Sequence, residues 1–300
     1  MSRIHHTQCP VCGSSDFRQV LAAVDHTVSR ESFQIIQCNG CLVRFTQDAP
    51  DKDGIGHYYK AESYISHTDT RKGIVNRMYH AVRNLTLRSK LALVKEVSGL
   101  SKGSLLDYGS GTGAFLDTMQ KAGWQVSGLE PDITARHVAK ERYGIDLRSS
   151  DELPELAPAS FDVITLWHVL EHVHDLHPTL DGLEKALRPG GTILIAVPNY
   201  TSGDAVHYGE FWAAWDVPRH LYHFSPSSMN TLLRGHGLEV TGTRRMWFDS
   251  YYVSMLSEQY KKGRAGMIQA FFEGTLSNLQ AMRDRQSCSS LIYIARARKG

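Results

Sequence analysis

The chain has 300 residues, with 33 Lys+Arg against 31 Asp+Glu and a formal charge of +2. At 42% hydrophobic and 21% charged, with 25 Gly and 10 Pro, its composition is ordinary globular and excludes a fibrous or disordered chain. Near-balanced charge argues against a surface built wholly for phosphates, no apolar run approaches the roughly 18 residues of a membrane span, and the start lacks the apolar stretch of a signal peptide. A soluble cytoplasmic protein with one large and one small domain is expected.

Four of the five cysteines form two pairs, Cys9-Pro-Val-Cys12-Gly13 and Cys38-Asn-Gly-Cys41, with 25 residues between them. Two residues between cysteines let a tight turn aim both sulfurs at one point, and Gly13 and Gly40 suit the backbone angles of such turns. Cys9, Cys12, Cys38 and Cys41 thus predict a closed four-sulfur site for structural Zn2+. The rivals are a redox dithiol, which needs only one such pair, and disulfides, which suit secreted chains. Phe17–Val24 and Ser32–Gln37 alternate as a hairpin would, so residues 1–50 are expected to form a zinc-ribbon-like module. Cys288 reads as a lone thiol.

Residues 51–102 read as a linker followed by amphipathic helices. Asp48 to Gly56 is turn-rich, and Arg71 to Lys95 carries seven Lys/Arg and no Asp or Glu. Ile74, Met78, Val82 and Leu85 recur at helical spacing there. The stretch is either a helix with a solvated basic face or a lid for an acidic substrate.

From 103 to 300 short apolar strands alternate with helical segments. Ser104–Tyr108, Gln125–Glu130, Phe161–Trp167 and Gly191–Val197 read as strands, with further ones at Leu238–Met246 and Leu291–Ala295. Thr112–Ala122, Ile133–Arg142 and Leu176–Leu187 read as helices. The pattern predicts an α/β fold with a doubly wound, Rossmann-like parallel sheet.

Between the first strand and its helix lies Asp107-Tyr-Gly109-Ser110-Gly111-Thr-Gly113-Ala114. Glycines there let a cofactor approach the backbone at a helix N-terminus, and Gly109, Gly111 and Ala114 also satisfy the dinucleotide pattern. Glu130, ending the next strand, would grip a ribose diol in either case. Asp107 tilts the choice. A carboxylate suits the ammonium of an amino-acid-like ligand better than a diphosphate, and S-adenosylmethionine offers that ammonium with a ribose and no phosphate.

These residues resemble class I S-adenosylmethionine-dependent methyltransferases. Leu105-Leu-Asp-Tyr-Gly-Ser-Gly-Thr-Gly113 is similar to the family's first motif, and Leu129-Glu-Pro-Asp132 to the acidic end of its second strand. Phe161 to His172 resembles its fourth strand and following loop, and Leu187-Arg-Pro-Gly-Gly191 the turn into its fifth. The resemblance implies a seven-stranded methyltransferase sheet with the last strand antiparallel. It also implies cofactor contacts at Asp107, Gly109, Ser110, Gly111, Gly113, Glu130, Asp151 and His168. The four-cysteine module ahead of such a domain is similar to that of methyltransferases acting on sugars or other small metabolites.

Methyl transfer from a sulfonium needs alignment, and a hydroxyl or carbon acceptor also needs a base. His168-Val-Leu-Glu171-His172 resembles the loop of ubiquinone-biosynthesis O-methyltransferases, where Glu-x-x-Glu-His can hold a divalent metal, with His168 replacing the first acid. A second segment runs from His207 to Phe224. In it Trp212 and Trp215 can wall a pocket, Arg219 can pair an anion, and His220 can act as base, with His223 and the later Tyr251 beside the substrate. The catalytic candidates are therefore His220, His172 and His168. Both segments can equally be packed loops with hydrogen-bonded histidines. A small-molecule methyl acceptor is expected, with the module at the substrate entrance or in a homodimer contact. An RNA methyltransferase, with the module on nucleic acid, is the alternative.

Overall fold

The structure, a computed structural model, describes residues 2–59, 74–263 and 266–298, and only the backbone of 74–81. Arg71, Lys72 and the side chains of Ile74 and Met78 therefore lie outside the described residues.

The N-terminal part holds strands β1 (Arg3–Ile4), β2 (Phe17–Val24), β3 (Ser32–Cys38), β4 (Arg44–Thr46) and β5 (Ala49–Pro50). β2 and β3 form the expected hairpin. Asp25 builds its turn by accepting the N–H groups of Thr27, Val28 and Ser29 at 3.0, 3.1 and 2.8 Å. The two cysteine turns differ in how they close. Gly13 takes a φ of +73°, whereas in the second turn Leu42 (φ +64°) and not Gly40 adopts the left-handed conformation. A Cβ on Gly40 would meet the Cys38 Sγ only at 3.6 Å, an ordinary contact, so that glycine is not demanded by the turn.

Helix α1 (Ile74–Ser98) leads into β6 (Ser104–Tyr108), α2 (Ala114–Lys121), β7 (Gln125–Leu129), α3 (Ile133–Tyr143), β8 (Phe161–Trp167), α4 (Leu176–Ala186) and β9 (Leu187–Pro198). There follow α5 (Gly203–Tyr208), β10 (Tyr222–His223), α6 (Pro226–Gly235), β11 (Leu238–Arg245), α7 (Asp249–Lys262), α8 (Met267–Arg283) and β12 (Ser290–Ala297). The main sheet runs β11-β12-β9-β8-β6-β7, with β6 to β9 parallel and β12 antiparallel to both neighbours. Leu105 and Leu106 of β6 are fully buried, as befits a strand covered on both faces. Among the described residues this sheet has six strands, not seven. Beyond β7 there is a single parallel bridge, Leu129–Arg148, because the chain turns at once into a tight helical turn capped by Ser149. No helix among the described residues is long and apolar enough to cross a membrane.

The module is not a separate body. β10, from the segment after β9, pairs with β4, so the module's sheet runs β10-β4-β3-β2 and takes one strand from the larger domain. The Thr46 hydroxyl donates to the His220 carbonyl at 2.7 Å, and the Thr46 N–H to that of Leu221 at 2.9 Å. The buried cysteines Cys9, Cys38 and Cys41 share one apolar cluster with Leu166, Ile195 and Phe224.

Candidate functional site

The glycine loop stands at the carboxyl edge of β6. Gly113, at φ +79°, ends the loop and precedes α2, which begins two residues later than the sequence suggests. Gly109, at φ +76°, lies under Val169, whose Cγ2 would be 2.4 Å from any Cβ there. Gly111 opens the other way: a Cβ on it would meet nothing within 4 Å, which leaves backbone approachable by a ligand. The Ser110 hydroxyl donates to the Asp107 carbonyl at 2.7 Å and fixes the loop from within.

Asp107 is 2% exposed and accepts the Thr165 hydroxyl at 2.6 Å. Burial raises its carboxyl to about 7 against the pull of Thr165 and Lys90, with Glu130 adding to the rise. Glu130 accepts the N–H groups of Gly111 at 2.7 Å and Asp132 at 3.0 Å, and burial raises it too. Two buried acids, Asp107 and Glu130, thus flank an open glycine, an arrangement that fits S-adenosylmethionine, with its ammonium and its ribose diol. Asp151 lies at the rim, pairing with Lys52 at 2.9 Å.

His168 directly follows β8 at φ +57° with both ring nitrogens engaged, Nδ1 to Glu171 at 3.3 Å and Nε2 to Asp249 at 2.9 Å. Burial alone would lower this imidazole, but the two carboxylates outweigh it and raise it to about 10. Asp249 opens α7, 81 positions later, and nothing in its local sequence marks it as a site residue.

Glu171, His172 and His220 bring one ligating atom each to within 4.8 Å of one another. The His172 Nδ1–H donates to the Arg219 carbonyl at 3.0 Å and the His220 Nδ1–H to the Ala214 carbonyl at 2.9 Å. Because carbonyls only accept, each Nε2 is left with its lone pair in the neutral ring. Burial and the neighbouring His220 lower His172 to about 4. Burial would raise Glu171, yet His168 holds it below the usual carboxylate range, and its Oε2 is buried without a partner among the described residues. One carboxylate oxygen and two imidazole Nε2 atoms, that of His220 also 3.8 Å from the Asp216 carboxylate, suit a proton relay or a divalent cation.

Trp212, Trp215, Arg219 and His223 stand apart from the glycine loop, in a packed seam between module and main domain. Trp212 is 2% exposed and donates to Asp204 at 2.9 Å, while Trp215 meets it edge-on at 5.1 Å. Arg219 is 1% exposed and pairs with Asp216 at 2.5 Å and Asp25 at 3.5 Å, its Nη1 donating to the Tyr58 carbonyl at 2.8 Å. His223 meets the Thr46 hydroxyl at 3.1 Å and the Trp215 ring edge-on. The cavity beside the tryptophans holds about 10 Å3, room for one water. The residues expected to wall a pocket thus line an ion-paired seam, since buried aromatics beside Arg and Asp make either. Tyr251 faces an open apolar groove of about 550 Å3 with Trp247, Phe248, Leu279 and Met282.

The four cysteine sulfurs converge, with Cys9–Cys41 and Cys12–Cys38 each 3.6 Å apart. That is too long for a disulfide of about 2.05 Å. It is close to the edge of a tetrahedron with about 2.3 Å metal–sulfur bonds.

Residues 79–242, more than half the chain, match the methyltransferase domain family, and the chain belongs to that family. It is an S-adenosylmethionine-dependent methyltransferase. Ubiquinone biosynthesis O-methyltransferases of Rhizobium etli and Bordetella pertussis are 29% and 28% identical to it over 53% and 57% of this chain, and 67% and 75% of theirs. Geranyl diphosphate C-methyltransferase from Streptomyces coelicolor A3(2) covers 77% of this chain and 86% of its own at 14% identity, with a TM-score of 0.53. At that identity the likeness shows the fold alone.

Proposed function

We propose that the chain moves the methyl group of S-adenosylmethionine to a hydroxyl oxygen of a small, phenol- or quinol-like metabolite. The observation that carries this reading is the cluster of buried Glu171 and His220 with half-buried His172, linked through His168 to the strand beside the glycine loop. His168, doubly paired and raised to about 10, is cationic at neutral pH and does not take the proton. His220 is the base: its Nδ1–H is fixed on Ala214, and its Nε2 can accept the acceptor's proton as the oxygen displaces the methyl from sulfur. The relatives' O-methyl chemistry supports an oxygen acceptor. The unpartnered Glu171 oxygen also fits a divalent cation held with His172 and His220, which would polarise the acceptor oxygen.

The module's four cysteines are proposed to hold one structural Zn2+, supported by their convergence and by the burial of Cys9, Cys38 and Cys41. Through β10 and Thr46 the module then fixes the segment that carries His220.

The test is a panel of catechols and hydroquinones with labelled S-adenosylmethionine. His220→Gln is expected to lower turnover on the best acceptor by about 100-fold, the scale of general base catalysis, with cofactor affinity within about twofold. Turnover unchanged in the variant, or methyl found on carbon or nitrogen, would contradict the reading. Turnover independent of added Mg2+ assigns proton removal to His220 alone.

A further inference from the structure

Helix α8 is amphipathic the wrong way round. Its small residues Ala270, Gly274, Ser277 and Ala281 face the protein, and a Cβ on Gly274 would come within 2.8 Å of Tyr251 on α7. Its bulky apolar residues face water: Ile268 is 89% exposed, Phe271 67% and Phe272 57%, with Leu276, Leu279 and Met282 exposed beside them. These recur at three- and four-residue steps, so they form one stripe along the 17-residue helix, about 25 Å by the helical rise. Trp247 and Phe248, just before α7, and Tyr252 within it are exposed too. Asp249 stands among them and bonds His168 at 2.9 Å, so the face borders the cluster of His168 and Glu171. Its rim is basic. Lys261 lies in the last turn of α7, Arg283 ends α8 and Arg285 follows it, all three exposed. Among the described residues from Trp247 to Gln286, Asp284 is the one exposed acid. Asp249 is spent on His168, Glu258 is buried with Lys262 on it at 2.7 Å, and Glu273 is turned to His207 at 3.5 Å.

A contiguous apolar face of this kind, rimmed by charge, marks a surface that docks on something. We propose that α8 and residues 247–252 lie in the plane of an anionic lipid bilayer, with the stripe among the outer acyl carbons and the cations on the lipid phosphates. Aromatic and aliphatic side chains along one face, with Lys and Arg at its borders, are the make-up of helices that rest in the headgroup layer. Charge favours lipid phosphates over a second copy of this chain. Whether two α8 helices paired parallel or antiparallel, basic ends would meet basic ends and repel. The outward stripe carries no acid, so it enters the headgroup layer without burying an unpaired anion.

Co-sedimentation of the full chain with lipid vesicles tests this. Binding to vesicles of equal parts phosphatidylglycerol and phosphatidylcholine is expected to be about tenfold or more tighter than to phosphatidylcholine alone, and to weaken as salt rises. Ile268→Ser with Phe272→Ser is expected to weaken it about tenfold or more, and Lys261→Gln with Arg285→Gln to remove most of the preference for the anionic vesicle. Both variants are expected to melt as the wild type does, because all four side chains are exposed. If the apolar variant melts lower, the charge variant and the salt series still decide. Wild-type chain that binds neither vesicle, or both equally, overturns the proposal, and so does binding that survives the loss of Ile268 and Phe272. A dimer in solution that ignores vesicles and dissociates in the apolar variant overturns it in favour of a second copy, and capture of an acidic protein without vesicle binding overturns it in favour of that partner.

Discussion

Asp107→Asn is expected to cut S-adenosylmethionine affinity by about 100-fold, close to 3 kcal/mol, because it removes the one buried anion opposite the ligand's ammonium. The geometry should survive, since an amide oxygen can still accept the Thr165 hydroxyl that now bonds Asp107 at 2.6 Å. The pH dependence gives a second signature. Burial raises the Asp107 carboxyl to about 7, so below that pH the free protein holds a neutral acid which must lose its proton to bind a cation. Affinity should therefore be full above about 7 and fall by up to about tenfold per unit as the pH drops further, and the variant should lack this slope. Stability moves the opposite way. A buried acid with a raised value favours the fold while protonated, and that contribution is lost as pH rises through about 7. At pH 8 the variant should thus melt no lower than wild type although it binds poorly. Calorimetry and thermal melts at pH 6 and 8 check all three. Equal affinity in variant and wild type would contradict the role of Asp107.

Removing the metal from the cysteine site, or substituting Cys38→Ser, should cost several kcal/mol of stability, since four converging thiolates without an ion keep little of their binding energy. One zinc per chain by elemental analysis is the accompanying expectation. The damage should spread unevenly. β4 pairs with β10, and Thr46 holds the His220 carbonyl, so turnover should fail with the module. The glycine loop belongs to the other sheet, tied to β7 by the Gly109 and Ser110 N–H groups on Leu129 at 2.8 and 3.1 Å, so cofactor affinity should fall far less. Metal-free protein with unchanged melting would contradict the zinc proposal.

The central strands were legible because runs such as Leu105-Leu106 and Ile164-Thr165-Leu166 are β-prone, buried and bounded by glycines or turns, and the hairpin because β2 and β3 alternate. A seventh strand was expected on resemblance, but Arg148 spends its side chain on Glu152 and Glu155 and its backbone on one bridge. Helices α7 and α8 went unread because Tyr252, Ile268, Phe271 and Phe272 are exposed, which blurs the helical stripe. Within the site, Asp107 and Glu130 were readable from their strand-end positions beside glycines. Lys90 and Asp249 were not: one sits in a run of basic residues and the other in no motif, and only Trp167, Phe115 and His168, distant in sequence, show where they point. Trp212, Trp215 and Arg219, expected as walls of a substrate pocket, surround only a cavity of about 10 Å3 in a packed seam, and a buried seam uses the same residue types as a pocket.

The cofactor choice turns on one carboxylate, so the most direct measurement is a parallel titration of the wild-type protein with S-adenosylmethionine and NAD at pH 7.5. One saturable site per chain is expected for the sulfonium compound and none for the dinucleotide. Saturable binding of NAD at the glycine loop, with S-adenosylmethionine unable to displace it, would overturn the role given to Asp107.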